Sequence, residues 1–200
     1  MAQPSIGCIA VFCGASEGSK PAYKLAAQRL GALFAQRDIT LVYGGGNVGL
    51  MGAIADAVID HGGKAIGVIP EKLLARELGH RRVTELHVVD SMHTRKAMMA
   101  DRADAFIAMP GGFGTFEELF EIITWSQLGL HPKPKPVGLL NVNGYYEPVI
   151  HMIDHAVSEG FIRASDRELV QAHESPEALL DLLSNQPVTS VDRWLDREST

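Results

Sequence analysis

Residues 105–118 read AFIAMPGGFGTFEE, from Ala105 to Glu118. A short unbroken apolar run leads into a glycine-rich turn, and the turn leads into a helical pattern. A strand covered on both faces reads as such a continuous apolar run. A glycine turn between that strand and a helix lets backbone N–H groups approach a ligand at the sheet edge. The same order recurs along the chain. Apolar runs at 6–13, 40–43, 65–69, 85–89 and 136–140, with a late one at 168–172, alternate with helix-length segments at 21–37, 48–61, 92–103, 115–129, 146–159 and 176–184. This alternation predicts an α/β fold, a doubly wound parallel sheet with helices on both faces. One domain over 1–184 is expected, followed by a polar tail over 185–200 that is either disordered or docked on a neighbour.

Local signals agree with these boundaries. Pro21 stands where a helix would begin. Gly62 and Gly63 follow the second helical segment as a stop. Ser175, Pro176 and Glu177 supply an N-cap, a first-turn proline and a first-turn acid for the last helix.

The chain has 200 residues, 46% hydrophobic and 21% charged, enough for a sizeable core without metal or disulfide support. Its 18 Lys and Arg against 24 Asp and Glu give a net charge of -6, which disfavours a nucleic-acid partner. No apolar stretch approaches the length of about 18 residues that a membrane span needs, and no signal-peptide pattern is visible. The 2 cysteines, Cys8 and Cys13, fall in one strand-like run. At that spacing they lie roughly 16 Å apart on opposite faces, too far to bridge. Free thiols and a cytoplasmic setting are expected.

Three segments each follow a predicted strand: Gly44-Gly45-Gly46-Asn47-Val48-Gly49, then Ser91-Met92-His93-Thr94-Arg95-Lys96, then Pro110 to Glu118. In a parallel sheet such segments emerge at one carboxyl edge, where α/β folds bind ligands. Glycine turns joined to helix N-termini there favour a phosphate-bearing ligand. Gly44-x-Gly46-x-x-Gly49 formally matches a dinucleotide fingerprint, with Glu71 only a loose candidate for the acid, and no GxxxxGK[ST] loop is present. The same glycines also suit a tight turn and close helix–sheet packing.

Arg95 and Lys96 occupy a helix's first turn, where cations oppose the macrodipole; surface salt bridging is one reading, a ligand role the favoured one, and Arg95 and Glu118 are expected to meet around a ligand from adjacent loops on one edge. His93 is read as a capping or supporting residue, and Met98 and Met99 as core. Thr115 and Glu118 have the T-x-x-E spacing of a capping box, which by itself would account for both. One of Glu117 and Glu118 can then cap while the other faces the cleft. Phe116, Leu119, Phe120, Ile122, Ile123, Trp125, Leu128 and Leu130 cover more than one helix face. Two readings stay open: a deeply buried helix, or one whose outer side packs on a second subunit. His151 and His155, with Asp154 between them, have a zinc-like spacing on a late helix that nothing ties to the ligand edge. A zinc site is not expected there, since such motif matches are often false, and Cys13 is read as a small buried residue.

Together, PGGFGTFEE (110–118), SMHTRKAMM (91–99) and VYGGGNVGLMG (42–52) resemble the Lonely Guy family of cytokinin riboside 5'-monophosphate phosphoribohydrolases. Some members of that family carry an older lysine decarboxylase label. The family pattern PGGxGTxxE is matched in full, ITWSQLG (123–129) and GLLNVNGYY (138–146) also look like family sequence, and the likeness runs from about residue 6 to about residue 183. The resemblance implies a Rossmann-like fold and a homodimer. It implies hydrolysis of the N-glycosidic bond of an adenosine 5'-monophosphate, N6-modified or plain, to free base and ribose 5-phosphate. Arg95 and Glu118 fall on the family's catalytic pair. Substrate contacts fall on Gly44, Gly45, Met92, Lys96, Gly111, Gly112, Phe113, Gly114, Thr115, Glu117 and Thr124, and on Glu77 within the looser match LLARELGH (73–80). No metal or redox cofactor is implied, because water is the second substrate. No pyridoxal phosphate constellation supports the decarboxylase label. A nucleotide-binding or carrier module without turnover is the alternative, since fold and function are separable.

Overall fold

The structure, a computed structural model, describes residues 6–74 and 79–186. The strands are β1 (Cys8–Phe12), β2 (Thr40–Tyr43), β3 (Ala65–Pro70), β4 (Glu85–Val89), β5 (Ala105–Ala108), β6 (Val137–Leu140) and β7 (Val170–His173). Each lies within two residues of its expected ends. They form one 7-stranded sheet in the order β4-β3-β2-β1-β5-β6-β7, with every pair parallel. The tail expected at 185–200 lies mostly outside the described residues.

Side chains alternate across the sheet, and so divide the core in two. Ile9, Val11 and Cys13 face helices α1 (Pro21–Gln36), α2 (Gly49–Asp60) and α8 (Pro176–Asn185). Ala10 and Phe12 face α4 (Met92–Arg102), α5 (Phe113–Gln127) and α6 (Glu147–Ser158). Each fully buried Leu, Ile or Phe in these layers contributes about 1.5–3 kcal/mol of transfer free energy. Cys8 and Cys13 are free and belong to opposite layers, as their spacing demanded. Two short helices, α3 (Glu71–Leu74) and α7 (Ala164–Arg167), and a 3-10 turn at Val142–Gly144 were not anticipated. The caps at Pro21 and Ser175 and the stop at Gly62 (φ 79°) are as read from the sequence.

The strand order reverses between β1 and β5. The loop after β1 turns to one face and the loop after β5 to the other, and their divergence leaves a crevice at the carboxyl edge. That crevice is where the candidate residues collect.

Candidate functional site

Gly14, just past β1, is the hub of the crevice. Its N–H donates to the Pro110 carbonyl at 3.0 Å and its carbonyl accepts from Leu50 N–H at 3.0 Å. The loops after β1, β2 and β5 are thereby tied together. Gly49 has φ 56°, and a Cβ there would lie 2.3 Å from the Ala15 carbonyl carbon. Only glycine lets α2 start so close to the β1 loop.

The start of α5 differs from the expectation. The helix begins at Phe113 with Gly112 as N-cap, and no side chain caps it. Thr115 is therefore the third residue of the helix, and the anticipated Thr115–Glu118 capping box does not form. The reason is tertiary: hydrogen bonds to the carbonyls of Pro110 and Gly111 hold the turn so that the helix begins two residues early. The first N–H groups of α5 keep no intrahelical acceptor and carry the positive end of the helix dipole. A Cβ at Gly112 or Gly114 would meet nothing within 4 Å, and Phe113 between them is 93% exposed. This is an open, positive cradle for an anion.

Arg95 reaches the crevice by an unexpected route. β4 and β5 are not neighbours; β3, β2 and β1 separate them, so Arg95 and Glu118 do not come from adjacent loops. Instead α4 crosses β3, β2 and β1, and its first turn lies over the end of β2. Ser91 caps it, accepting from Thr94 N–H at 3.1 Å, while His93 is exposed and takes no capping part. The Arg95 guanidinium is buried against Gly44, donates from Nη1 to the Met92 sulfur at 3.7 Å, and has a buried Nε without a hydrogen-bond partner.

Lys96, next along α4, points to α5. Its Nζ donates to Glu117 at 2.5 Å and to Glu121 at 3.0 Å. Burial presses this ammonium's pKa down, but the hydrogen bonds and charges of Glu117 and Glu121 more than offset it, and the net direction is upward. Glu117 is thus tied to a cation, and neither it nor Glu118 caps the helix. Glu118, on the second turn of α5, is buried. The Cys13 thiol is pushed up first by burial and then by the Glu118 charge, against the Arg95 charge. One buried thiol at the end of β1 therefore feels both groups.

The other candidates are scattered. Gly44 and Gly45 sit at the end of β2, and the Gly45 carbonyl accepts from His80 N–H at 2.9 Å. Met92 is 38% exposed beside Arg95. Thr124 is exposed, bonds the Phe120 carbonyl of its own helix at 2.7 Å, and lies roughly 14 Å along α5 from Thr115. Glu77 lies outside the described residues. Glu71 is exposed at the start of α3. His151 is 77% exposed, and Asp154 pairs with Arg167 at 2.5 Å. Among the described residues no three His, Cys, Asp or Glu side chains gather as a metal site, and no helix is long and apolar enough to cross a membrane.

Sequence reasoning assigned no role to Tyr145 and Tyr146. Their hydroxyls donate to the carbonyls of Gly111 and Met109. The signal was present in NGYY, a tight turn followed by two phenols just after β6.

Comparison with known proteins places the chain. A family model described as "Possible lysine decarboxylase" matches residues 51–183. A cytokinin riboside 5'-monophosphate phosphoribohydrolase of Oryza sativa subsp. japonica is 54% identical over 184 residues, 92% of this chain and 75% of that protein. One of Arabidopsis thaliana is 52% identical over 191 residues, 93% of this chain and 89% of that protein. Among solved structures, the molybdenum cofactor carrier protein of Chlamydomonas reinhardtii superposes with TM-score 0.66 at 19% identity, over 90% of this chain and 98% of that one. The molybdenum cofactor binding protein of Rippkaea orientalis does so with TM-score 0.65 at 25% identity, over 91% and 96%.

Proposed function

We infer the function from the family to which this chain belongs, that of the cytokinin riboside 5'-monophosphate phosphoribohydrolases: it hydrolyses the N-glycosidic bond of a nucleoside 5'-monophosphate. The products are a free base and ribose 5-phosphate, and the substrate is an N6-modified adenosine 5'-monophosphate. The observation that carries this reading to the residues is the burial of two charged groups at this edge: Arg95, packed against Gly44 at the end of β2, and Glu118, on the helix that opens from the Gly111–Gly112 turn.

Breaking the bond between C1' and the base nitrogen leaves the electron pair on the base and positive charge on the ribose. Water adds hydroxyl to C1', and its other proton goes to the base. The Glu118 carboxylate stabilises the oxocarbenium-like sugar and orients the water. The amides of Gly111–Thr115 and the start of α5 hold the 5'-phosphate. A guanidinium would repel the forming cation, so Arg95 is assigned to the departing base, where negative charge develops. Gly44 and Met92 shape the Arg95 seat, and Lys96 with Glu117 fixes α4 against α5.

The same reading makes the chain a cytoplasmic homodimer. Its two thiols are free. On α5, Phe120, Ile123 and Trp125 are only half-buried, and Leu128 and Leu130 just beyond it are 36% and 62% exposed. Light scattering on the eluting protein gives twice the 21.6 kDa chain mass if this holds.

The deciding assay incubates the protein with N6-prenylated adenosine 5'-monophosphate, and in parallel with AMP, and follows free base by chromatography. Catalytic release of base is expected. Stoichiometric binding with no free base would leave the carrier module of the same fold.

A further inference from the structure

We propose that Tyr145 is a positioning residue: by holding the Gly111 carbonyl it turns the Gly112 N–H toward the bound phosphate. This rests on the reading that the Gly111–Thr115 loop takes the phosphate.

Three successive carbonyls in the turn after β5 are held from inside the protein. Met109 accepts from the Tyr146 hydroxyl at 2.6 Å, Pro110 from Gly14 N–H at 3.0 Å, and Gly111 from the Tyr145 hydroxyl. In a trans peptide the carbonyl and the next N–H point in opposite directions. Holding the Pro110 and Gly111 carbonyls inward therefore aims the N–H groups of Gly111 and Gly112 outward, beside the first N–H groups of α5. The peptide joining Gly111 to Gly112 lies between two residues without a Cβ, so its own sterics resist a flip least. It needs an external anchor.

Tyr145 is built to be one. Its ring stacks on Phe116 with centroids 6.4 Å apart and planes within 8°, and meets Tyr23 and Tyr146 edge-on at 5.9 Å and 5.2 Å. The buried Asn141 accepts from Tyr146 N–H at 2.7 Å and donates to Glu147 at 2.6 Å, which fixes the turn that carries both phenols.

Tyr146 provides an internal control. The Met109 carbonyl it holds belongs to the peptide leading into Pro110, which has no N–H to aim. Tyr146 supports the fold alone, whereas Tyr145 also directs a donor.

The test measures ribose 5-phosphate binding by calorimetry, with ribose as the phosphate-free reference, and steady-state kinetics on the nucleotide. Tyr145→Phe should weaken ribose 5-phosphate by about tenfold and raise KM with kcat nearly unchanged, as for loss of a uniform binding contact. Tyr146→Phe should leave phosphate affinity unchanged, whatever it does to Tm. Equal effects of the two variants, or none from Tyr145→Phe, overturn the proposal. Gly114→Asp places a carboxylate in open space on the first turn of α5 and should abolish ribose 5-phosphate binding. If it does not, the phosphate reading fails; if it does while Tyr145→Phe binds normally, only the Tyr145 proposal fails. Should Tyr145→Phe not fold, the wild-type amide spectrum decides. A Gly112 N–H signal that moves downfield on adding ribose 5-phosphate supports the proposal, and one that stays in place sinks it.

Discussion

The Arg95 guanidinium fills the volume that a side chain at Gly44 would need: a Cβ there would lie 1.9 Å from Nη2 and 3.1 Å from the Met51 sulfur. Gly44 does not have the positive φ that its neighbour Gly45 shows at 76°. The constraint on residue 44 is therefore steric, and it acts through Arg95.

Gly44→Ala should displace Arg95 and little else. Crowding of this kind costs about 1–3 kcal/mol of stability. Misplacing a reacting group costs on the order of 10²-fold in kcat/KM. A folded variant with wild-type kinetics would remove Arg95 from the mechanism.

Glu118→Gln should keep the fold, because Gly112 rather than a Thr115–Glu118 pair begins α5. Base release should drop on the order of 10²-fold or more. Melting curves and base-release rates together decide. Unchanged turnover dismisses Glu118 as a catalytic group, and collapse of the fold gives it a structural role instead.

Lys96→Met should destabilise the protein by about 1–3 kcal/mol in urea unfolding, since it strands two carboxylates. The loss should trace mainly to Glu121, whose side chain is 24% exposed against 54% for Glu117 and whose Oε2 already lacks a hydrogen-bond partner. Adding Glu121→Gln to Lys96→Met should accordingly restore more stability than adding Glu117→Gln. The reverse ranking would refute this account of the clamp.

His131 makes stability depend on acidity. Its ring lies 5.5 Å from Phe106 and 6.0 Å from Trp125. Burial first, and then the Lys135 charge, push its pKa down from 6.5 to about 4, with Asp101 opposing. Between those values the unfolded chain binds the proton and the folded chain does not, so stability falls as pH falls through that window. His131→Leu should flatten the decline in Tm between pH 6.5 and about 4. An identical slope in wild type and variant would assign the acid sensitivity elsewhere.

Much of the fold was legible because its signals are local. The apolar run at 105–109 became β5 almost to the residue, and 40–43 became β2 with the same bounds, since a strand buried on both faces has little freedom in composition. The start of α5 was misread because T-x-x-E is also a local signal, and Gly14, Tyr145 and Tyr146 outweighed it from distant parts of the chain. The Lys96 link to Glu117 and Glu121 was equally hidden, because it spans two helices whose packing no local pattern specifies.

The candidate residues, and the edge of the sheet at which their segments emerge, were determined by the sequence alone. Glycine turns, strand runs and helix starts are properties of neighbouring residues, and every strand of a parallel sheet delivers its following segment to the same end. Which of those residues meet was decided by the tertiary structure. Arg95 follows the outermost strand β4 and Glu118 follows β5, with β3, β2 and β1 between them in the sheet. Arg95 reaches the end of β2, inward from its own strand, only because α4 crosses β3, β2 and β1. Strand order and helix crossing are set by how whole layers bury their apolar faces, a balance summed over the entire chain and carried by no single stretch of it.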